Sequence, residues 1–244
     1  MQRPPALIRA SLLLALLMLG ACGGVTMDPA LLEQRANAAT LIATARPGQI
    51  SFIEVAARIE PVAEAMCRER GRTNRCNFRI VVDTRRDAPP NAFQTLDRNG
   101  RPIIGFTAAL IAEARNADEL AFTMGHEASH HILGHIPQRE QEALSGALRG
   151  AMIAAAAGVD EAGIVEAQRL GAERAARRFS KDFELQADAM GTEIALRAGF
   201  DAVRGSAFFD RLPDPGNQFL STHPANAQRK ALVLATQNRL LNGG

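Results

Sequence analysis

The sequence contains no tryptophan and no tyrosine, and lysine occurs only at Lys181 and Lys230. Together with the many alanines, this composition indicates a nucleotide bias of the source and carries no sign of function. A charge excess is also absent, because 28 Lys and Arg residues stand against 26 Asp and Glu residues. This balance does not indicate a nucleic-acid partner, and no part of the sequence resembles a phosphate-binding loop or a nucleic-acid-binding module.

Apolar runs long enough to cross a membrane are absent too. The run from Leu12 to Leu19 is too short to span a bilayer as an anchor. Arg3 and Arg9 precede it, and a basic start before a short apolar run is typical of a bacterial export signal. Removal of residues 1–21 leaves 26 basic and 26 acidic residues, so we expect a near-neutral mature protein.

The apolar run ends in Leu19-Gly20-Ala21-Cys22, which resembles the bacterial lipobox. This resemblance implies that Cys22 is lipidated and becomes the first mature residue. An ordinary secretory signal cleaved near Ala21 is the alternative. Gly23 and Gly24 follow the cysteine where an aspartate would retain a lipoprotein at the inner membrane. We therefore predict a periplasmic protein, held at the outer membrane by its lipid anchor only.

Cysteine is scarce, with Cys67 and Cys76 remaining as an even pair once Cys22 carries lipid. An oxidising periplasm permits these two to form a disulfide across an arginine-rich loop, with two free thiols as the alternative. The arginines in and around this loop form either a solvated face or a contact with anionic lipid headgroups; they are Arg68, Arg70, Arg72, Arg75, Arg79, Arg85 and Arg86.

Helix signals dominate the rest of the chain. Ser51 and Glu54 form a capping box, Pro61 predicts a kink, and Asn99-Gly100 predicts a hairpin turn. The pattern predicts helices over 28–45, 52–69, 107–114, 116–135, 138–157, 160–178, 180–198 and 224–241, and strands over 78–82, 91–96 and 102–106. We predict an α+β fold, dominated by helices, with a small three-stranded sheet. Residues 1–21 form the signal, 22–49 a linker and helix, and 50–244 the functional domain.

The candidate chemistry begins with His126-Glu127-Ala128-Ser129-His130 on a predicted helix. A spacing of four places both imidazoles on one helix face, where their nitrogens reach one tetrahedral zinc ion. Glu127 projects elsewhere around the helix and is placed to take a proton from a zinc-bound water. The alternative is a polar face with two unrelated histidines. The apolar residues before the motif disfavour it, because buried imidazoles need a partner.

A third ligand is expected downstream. Leu133 and Ile136 stand where the metzincins have Gly and His, so that class is excluded. Glu184 and Asp188 lie four apart on one predicted helix face. Glu184 would complete a site with one open position, and Asp188 would accept the second ring N–H of a ligand histidine. Two solvated acids are the alternative. His131 and His135 are interpreted as structural or surface residues, or as part of a second metal site.

These motifs together resemble the HtpX/CAAX-prenyl-protease-type gluzincin metallopeptidases, over roughly residues 50–235. The likeness is greatest to soluble periplasmic members concerned with envelope protein quality control. It rests on the HExxH helix, the ExxAD helix, Asn91-Ala92-Phe93, and Thr222-His223-Pro224 followed by Arg229. The membrane helices of HtpX are missing, and Gln186 stands where the family often has a second Glu.

The resemblance implies a zincin-like domain with its sheet along the active-site cleft. It implies that His126, His130 and Glu184 bind one zinc ion, that Glu127 is catalytic and that Asp188 supports the site. Asn91, Ala92 and Phe93 would form the strand that a peptide substrate joins by β-addition. His223 would either stabilise the oxyanion of the intermediate or cap the open zinc position and keep the enzyme inactive.

We therefore predict a zinc endopeptidase that degrades misfolded or misassembled envelope proteins. Two alternatives remain. One is a zinc-binding chaperone or assembly factor at the outer membrane, inactive because His223 blocks the site. The other is a structural lipoprotein whose motif no longer binds metal.

Overall fold

The computed structural model describes residues 51–214 and 224–243, apart from the side chains of residues 178 and 179. Cys22, the helix predicted over 28–45 and His223 lie outside the described residues. Seven α-helices and three strands occupy the described ranges: α1 (Phe52–Arg70), β1 (Arg79–Asp83), β2 (Ala92–Leu96), β3 (Pro102–Thr107), α2 (Ala108–Glu113), α3 (Ala117–Ile132), α4 (His135–Ala156), α5 (Glu161–Arg197), α6 (Ala202–Gly205) and α7 (Asn226–Leu241). A 3₁₀ helix over Ser206–Arg211 follows α6.

Helix α1 begins at the predicted capping box. The Glu54 N–H donates to the Ser51 hydroxyl at 3.3 Å, and the Ser51 N–H donates to the Glu54 carboxylate at 2.8 Å. Both contacts satisfy backbone donors that a helix start otherwise leaves free. Pro61 lies inside α1, which continues past it without a break.

The sheet has the strand order β1-β3-β2, with β1 parallel and β2 antiparallel to β3. The predicted turn joins β2 to β3, and Gly100 adopts the left-handed φ of 74° that this turn requires. Among the described residues no strand pairs with the outer edge of β2. This edge strand packs beside α3, so its unpaired backbone groups border the helix that carries the HExxH motif.

The core lies between α1, the sheet and α3, which is buried over most of its length. Burial of large apolar side chains supplies the main stabilising free energy here. The largest fully buried aromatic and aliphatic side chains include Phe78, Phe106, Phe122, Ile59 and Met66. The prediction of a helix-dominated α+β domain with one small three-stranded sheet is confirmed.

Two predicted helix boundaries are wrong. The helices predicted over 160–178 and 180–198 form one helix, α5, of 37 residues. Ser180 was the first residue of the second predicted helix, but its hydroxyl donates to the Ala176 carbonyl one turn earlier, at 2.9 Å, and the helix continues through it. Helix α3 ends at Ile132 instead of His135, because Gly134 turns the chain with a φ of 67°, and Pro137 lies in the first turn of α4.

Cys67 and Cys76 form a disulfide with an S–S distance of 1.97 Å. It ties the loop of residues 68–75 to the last turn of α1, and closure of so short a loop stabilises the fold by about 2–3 kcal/mol. One main-chain and one side-chain contact also hold this loop on the end of α3. The Arg72 N–H donates to the Ile132 carbonyl at 2.9 Å, and the His131 Nε2 lies 2.6 Å from the Arg75 carbonyl oxygen.

Helices α4 and α5 form a hairpin that packs through small residues. A Cβ atom on Gly146 would lie 2.3 Å from the Gly171 carbonyl oxygen, so only glycine permits this approach. The outer face of α4 exposes Leu144, Leu148 and Met152. Even so, none of the helices in the described ranges is both long enough and apolar enough to cross a bilayer.

Candidate metal centre

The candidate site forms where α3 crosses α5. A Cβ atom on Gly125 would lie 2.9 Å from the Gly191 carbonyl oxygen, and one on Gly191 would lie 2.7 Å from the His126 backbone nitrogen. The two glycines therefore allow the backbones to touch. This close approach brings the HExxH motif of α3 against the ExxAD motif of α5.

Three side chains from these helices converge, as predicted: His126, His130 and Glu184. The two Nε2 atoms of the histidines lie 3.1 Å apart. One Glu184 carboxylate oxygen lies 3.5 Å from the His126 Nε2, and the other lies 3.5 Å from the His130 Nε2. Two imidazole nitrogens and a carboxylate are a donor set that zinc commonly uses.

The spacing of these donors fits a tetrahedral ion. Zinc–nitrogen and zinc–oxygen bonds of about 2.0–2.1 Å place neighbouring ligand atoms about 3.3 Å apart. The observed separations of 3.1, 3.5 and 3.5 Å lie close to that value. Burial lowers the pKa of His130 to about 3, which keeps its imidazole in the neutral form that binds metal. The residues present therefore fit one zinc ion.

A buried ion pair supports His126 from behind. Its Nδ1–H donates to the Asp188 carboxylate at 2.9 Å, which directs Nε2 toward the other two donors. Arg229, from α7, donates to both oxygens of Asp188 at 2.7 Å and lies 3.3 Å from Glu184. From the sequence, Arg229 was recognised only as part of the family motif, because no local pattern in α7 indicates which carboxylate it binds.

Glu127 is not one of the three converging donors, but it lines a cavity that they line as well. Burial raises the pKa of its carboxyl to about 7, near the value at which a general base works at neutral pH. The backbone of Gln94 in β2 lies beside this carboxylate and lowers its pKa, so β2 borders Glu127.

His131 and His135 are both buried, so the surface interpretation of these residues is wrong. His131 is structural and holds the loop closed by the disulfide. His135 belongs to the site, because its Nδ1 lies 2.9 Å from the Nδ1 of His130 and its ring stacks on Phe183 at 4.3 Å. Sequence spacing could not show this, because the turn at Gly134 removes His135 from the face that helical continuation would give it.

A cleft with a volume of about 620 Å³ opens onto the three donors. Asn91, Ala92 and Phe93 line it, as the resemblance implied for a substrate strand. The Phe93 ring lies against Gly105 of the neighbouring strand, where no other residue leaves it room. Residues of α5 and the 3₁₀ helix, among them Phe183 and Phe208, form the opposite wall.

Comparisons with known proteins agree with this geometry. The sequence model of peptidase family M48 matches residues 54–236. The chain is also 30% identical, over 140 residues, to a Vibrio cholerae serotype O1 (strain ATCC 39315 / El Tor Inaba N16961) protein whose name describes a beta-barrel assembly-enhancing protease. The match covers 52% of this chain and 29% of that relative, so the chain spans less than a third of the relative's length. Because the family model covers most of the sequence, the chain belongs to peptidase family M48, whose members are metal-dependent.

Proposed function

We propose that this protein is a zinc-dependent endopeptidase of the cell envelope. The observation that carries the proposal is the meeting of His126, His130 and Glu184 at tetrahedral spacing, with Glu127 beside them in an open cleft. Family membership supports peptide hydrolysis as the reaction.

His126, His130 and Glu184 would hold the zinc, and Asp188 would keep the first of these histidines oriented. A zinc ion in such a site polarises a carbonyl group and lowers the pKa of a bound water to about 7. The Glu127 carboxylate would accept a proton from the attacking water and deliver it to the nitrogen of the leaving amine. His223 would stabilise the oxyanion or, alternatively, occupy the open position.

The substrate would be an extended, unfolded chain. The free edge of β2 offers backbone hydrogen bonds to a peptide, and such pairing reads the main chain more than the side chains. Asn91, Ala92 and Phe93 line the cleft at that edge. A site of this kind selects segments that have lost their native structure, as misfolded or misassembled envelope proteins have.

The proposed location is the periplasm, with a lipid anchor at Cys22 and attachment to the outer membrane. The lipobox-like sequence supports the anchor. The name of the Vibrio cholerae relative supports a role in the assembly of β-barrel proteins. In the proposed organisation, residues 1–21 are a signal, residues 22–49 a linker and helix, and the domain from residue 50 carries the chemistry.

We expect a preparation that begins at residue 23 to cleave an unfolded casein-like substrate. Dialysis against a chelator should abolish the cleavage, and addition of zinc should restore it, because the donors bind no water for attack without the ion. Protein that cleaves equally well after complete removal of metal would contradict the proposal.

A comparison of wild type with His223→Ala separates an active enzyme from a latent one. Loss of activity indicates a role for His223 in the reaction, and a gain indicates that His223 blocks the site. No cleavage by either form, with zinc bound, would favour the zinc-binding chaperone or assembly factor instead.

A further inference from the structure

A second cavity adjoins the cleft, and the charged side chains among its described lining residues are arginines. We infer that it is a subsite for an acidic side chain of the substrate, on the amino-terminal side of the bond that is cut. This inference rests on the proposed function. The cavity has a volume of about 580 Å³, and Arg72, Arg75 and Arg98 line it, whereas none of the Asp and Glu residues that the structure describes does.

The basic cavity lies next to the cleft. Gln94, His130 and Ile136 line both spaces, so the two meet at these residues. Strand β2 runs from one to the other, because residues 91–95 line the cleft and Leu96 lines the basic cavity. A peptide that pairs with the free edge of β2 therefore extends from the candidate metal centre over the three arginines.

These three arginines are not neutralised by a carboxylate of the part of the chain that the structure describes. The Arg72 guanidinium donates to the Gln138 side-chain oxygen at 2.9 Å, and that of Arg75 donates to the Asn99 carbonyl. Both acceptors are neutral, and within the described ranges no carboxylate forms a salt bridge with either of them or with Arg98. Asp97 lies nearby in sequence, but its carboxylate accepts the N–H groups of Asn99 and Arg101.

Several other arginines of the protein are paired with carboxylates. Arg70 binds Glu193 at 2.8 Å, Arg85 binds Asp83 at 2.6 Å and Arg211 binds Glu119 at 2.7 Å. An Arg guanidinium that lacks such a partner attracts the carboxylate of a ligand, which it can bind through two N–H groups. What sets Arg72, Arg75 and Arg98 apart is that three arginines of this kind line one cavity.

The cavity is also built on a constrained segment. Arg72 and Arg75 belong to the loop that the Cys67–Cys76 disulfide closes, and contacts with the Ile132 carbonyl and the His131 side chain hold that loop on α3. Because α3 also carries two of the three proposed metal ligands, the two sites keep a fixed separation. Subsites held on rigid elements discriminate better than mobile ones.

The direction of the peptide follows from strand pairing. Antiparallel pairing is the more stable arrangement, and it places the amino-terminal part of the substrate over Leu96. Gln94 lies beside Glu127, and a strand advances about 3.3 Å per residue, so the arginines lie roughly two to four residues further on. The carboxylate must then come from a side chain, because the terminal carboxylate of the substrate lies at the opposite end.

The test measures the binding of labelled ten-residue peptides whose two ends are blocked and uncharged. The protein is the zinc-loaded Glu127→Gln variant, which should bind substrate without cutting it. The peptides differ only in Asp, Asn or Lys at the fourth position before the bond to be cut. We expect the Asp peptide to bind about tenfold more tightly than the Lys peptide, with a smaller difference at high salt. Arg72→Glu and Arg98→Glu, added together, should reverse the order.

Arg149→Glu is the matched control, because it changes charge on the exposed part of α4 outside both cavities. It should leave the preference intact. The inference fails if Asp and Lys peptides bind equally, or if reversal of the two arginines has no effect. Selective binding by a protein that cleaves no peptide would retain the subsite and reject the proposed hydrolysis.

Discussion

Glu127→Gln is expected to lower the rate of casein-like substrate cleavage by about 10²- to 10⁴-fold, the usual contribution of a general base. The amide has nearly the same shape as the carboxylate but cannot accept a proton. Zinc content should stay at the wild-type level, because Glu127 is not among the three converging donors. Initial rates at saturating substrate, with metal analysis of the same samples, measure both effects.

Glu140→Gln provides the control for this variant, since the residue is exposed on α4 and lines neither cavity. It should cleave at the wild-type rate. If purified Glu127→Gln cleaved unfolded protein as fast as Glu140→Gln does, the role of Glu127 would be rejected, whatever metal the site binds.

Arg229→Met is expected to destabilise the protein by about 3–5 kcal/mol, because it leaves the buried Asp188 carboxylate without its cation. Asp188 is fully buried and accepts two hydrogen bonds from Arg229. The same change should weaken zinc binding by about 10- to 100-fold, since Asp188 orients His126. Urea unfolding of the metal-free protein and a zinc titration measure the two effects separately.

Two further variants make this prediction specific. Arg239 lies on the exposed face of the same helix, so Arg239→Met should change the free energy of unfolding little. Asp188→Leu combined with Arg229→Met removes both charges and should recover part of the lost stability, because an apolar pair does not leave a buried ion uncompensated. Equal stability of Arg229→Met and Arg239→Met would show that the ion pair does not support the fold.

The donor residues were predictable because a helix fixes relations over short distances. His126 and His130 share a face through a spacing of four, and so do Glu184 and Asp188. The pairing of the two helices was inferred from the need for a third ligand and from the family resemblance. Its physical basis, the contact of Gly125 with Gly191, lies in residues that carry no chemistry of their own.

Other parts of the site depend on contacts between residues far apart in the chain. Arg229 lies 41 residues from Asp188 in the sequence, and no local pattern predicts that these two side chains form a pair. The arginine-rich loop was visible in the sequence, but not which of its members face the cleft. That selection depends on the disulfide and on the contact with α3, which turn Arg72 and Arg75 toward the cavity.

Helix ends were harder to predict than helix centres. Ser180 has the chemistry of a cap, yet its hydroxyl bonds back into α5, and tertiary packing continues the helix. The helix predicted to run to residue 135 ends at Ile132, where the turn at Gly134 follows. The roles of Cys22 and His223 stay predictions, because both residues lie outside the described ranges.

Metal analysis of Glu184→Ala, with Asp182→Ala as its neighbour on the same helix, tests whether three side chains from two helices hold one ion. Asp182 is exposed and lies outside the converging donors. After dialysis against metal-free buffer, wild type and Asp182→Ala should each retain one zinc ion per chain, and Glu184→Ala should retain none. Full zinc retention by Glu184→Ala, or no zinc in the wild type under the same dialysis, would contradict the account.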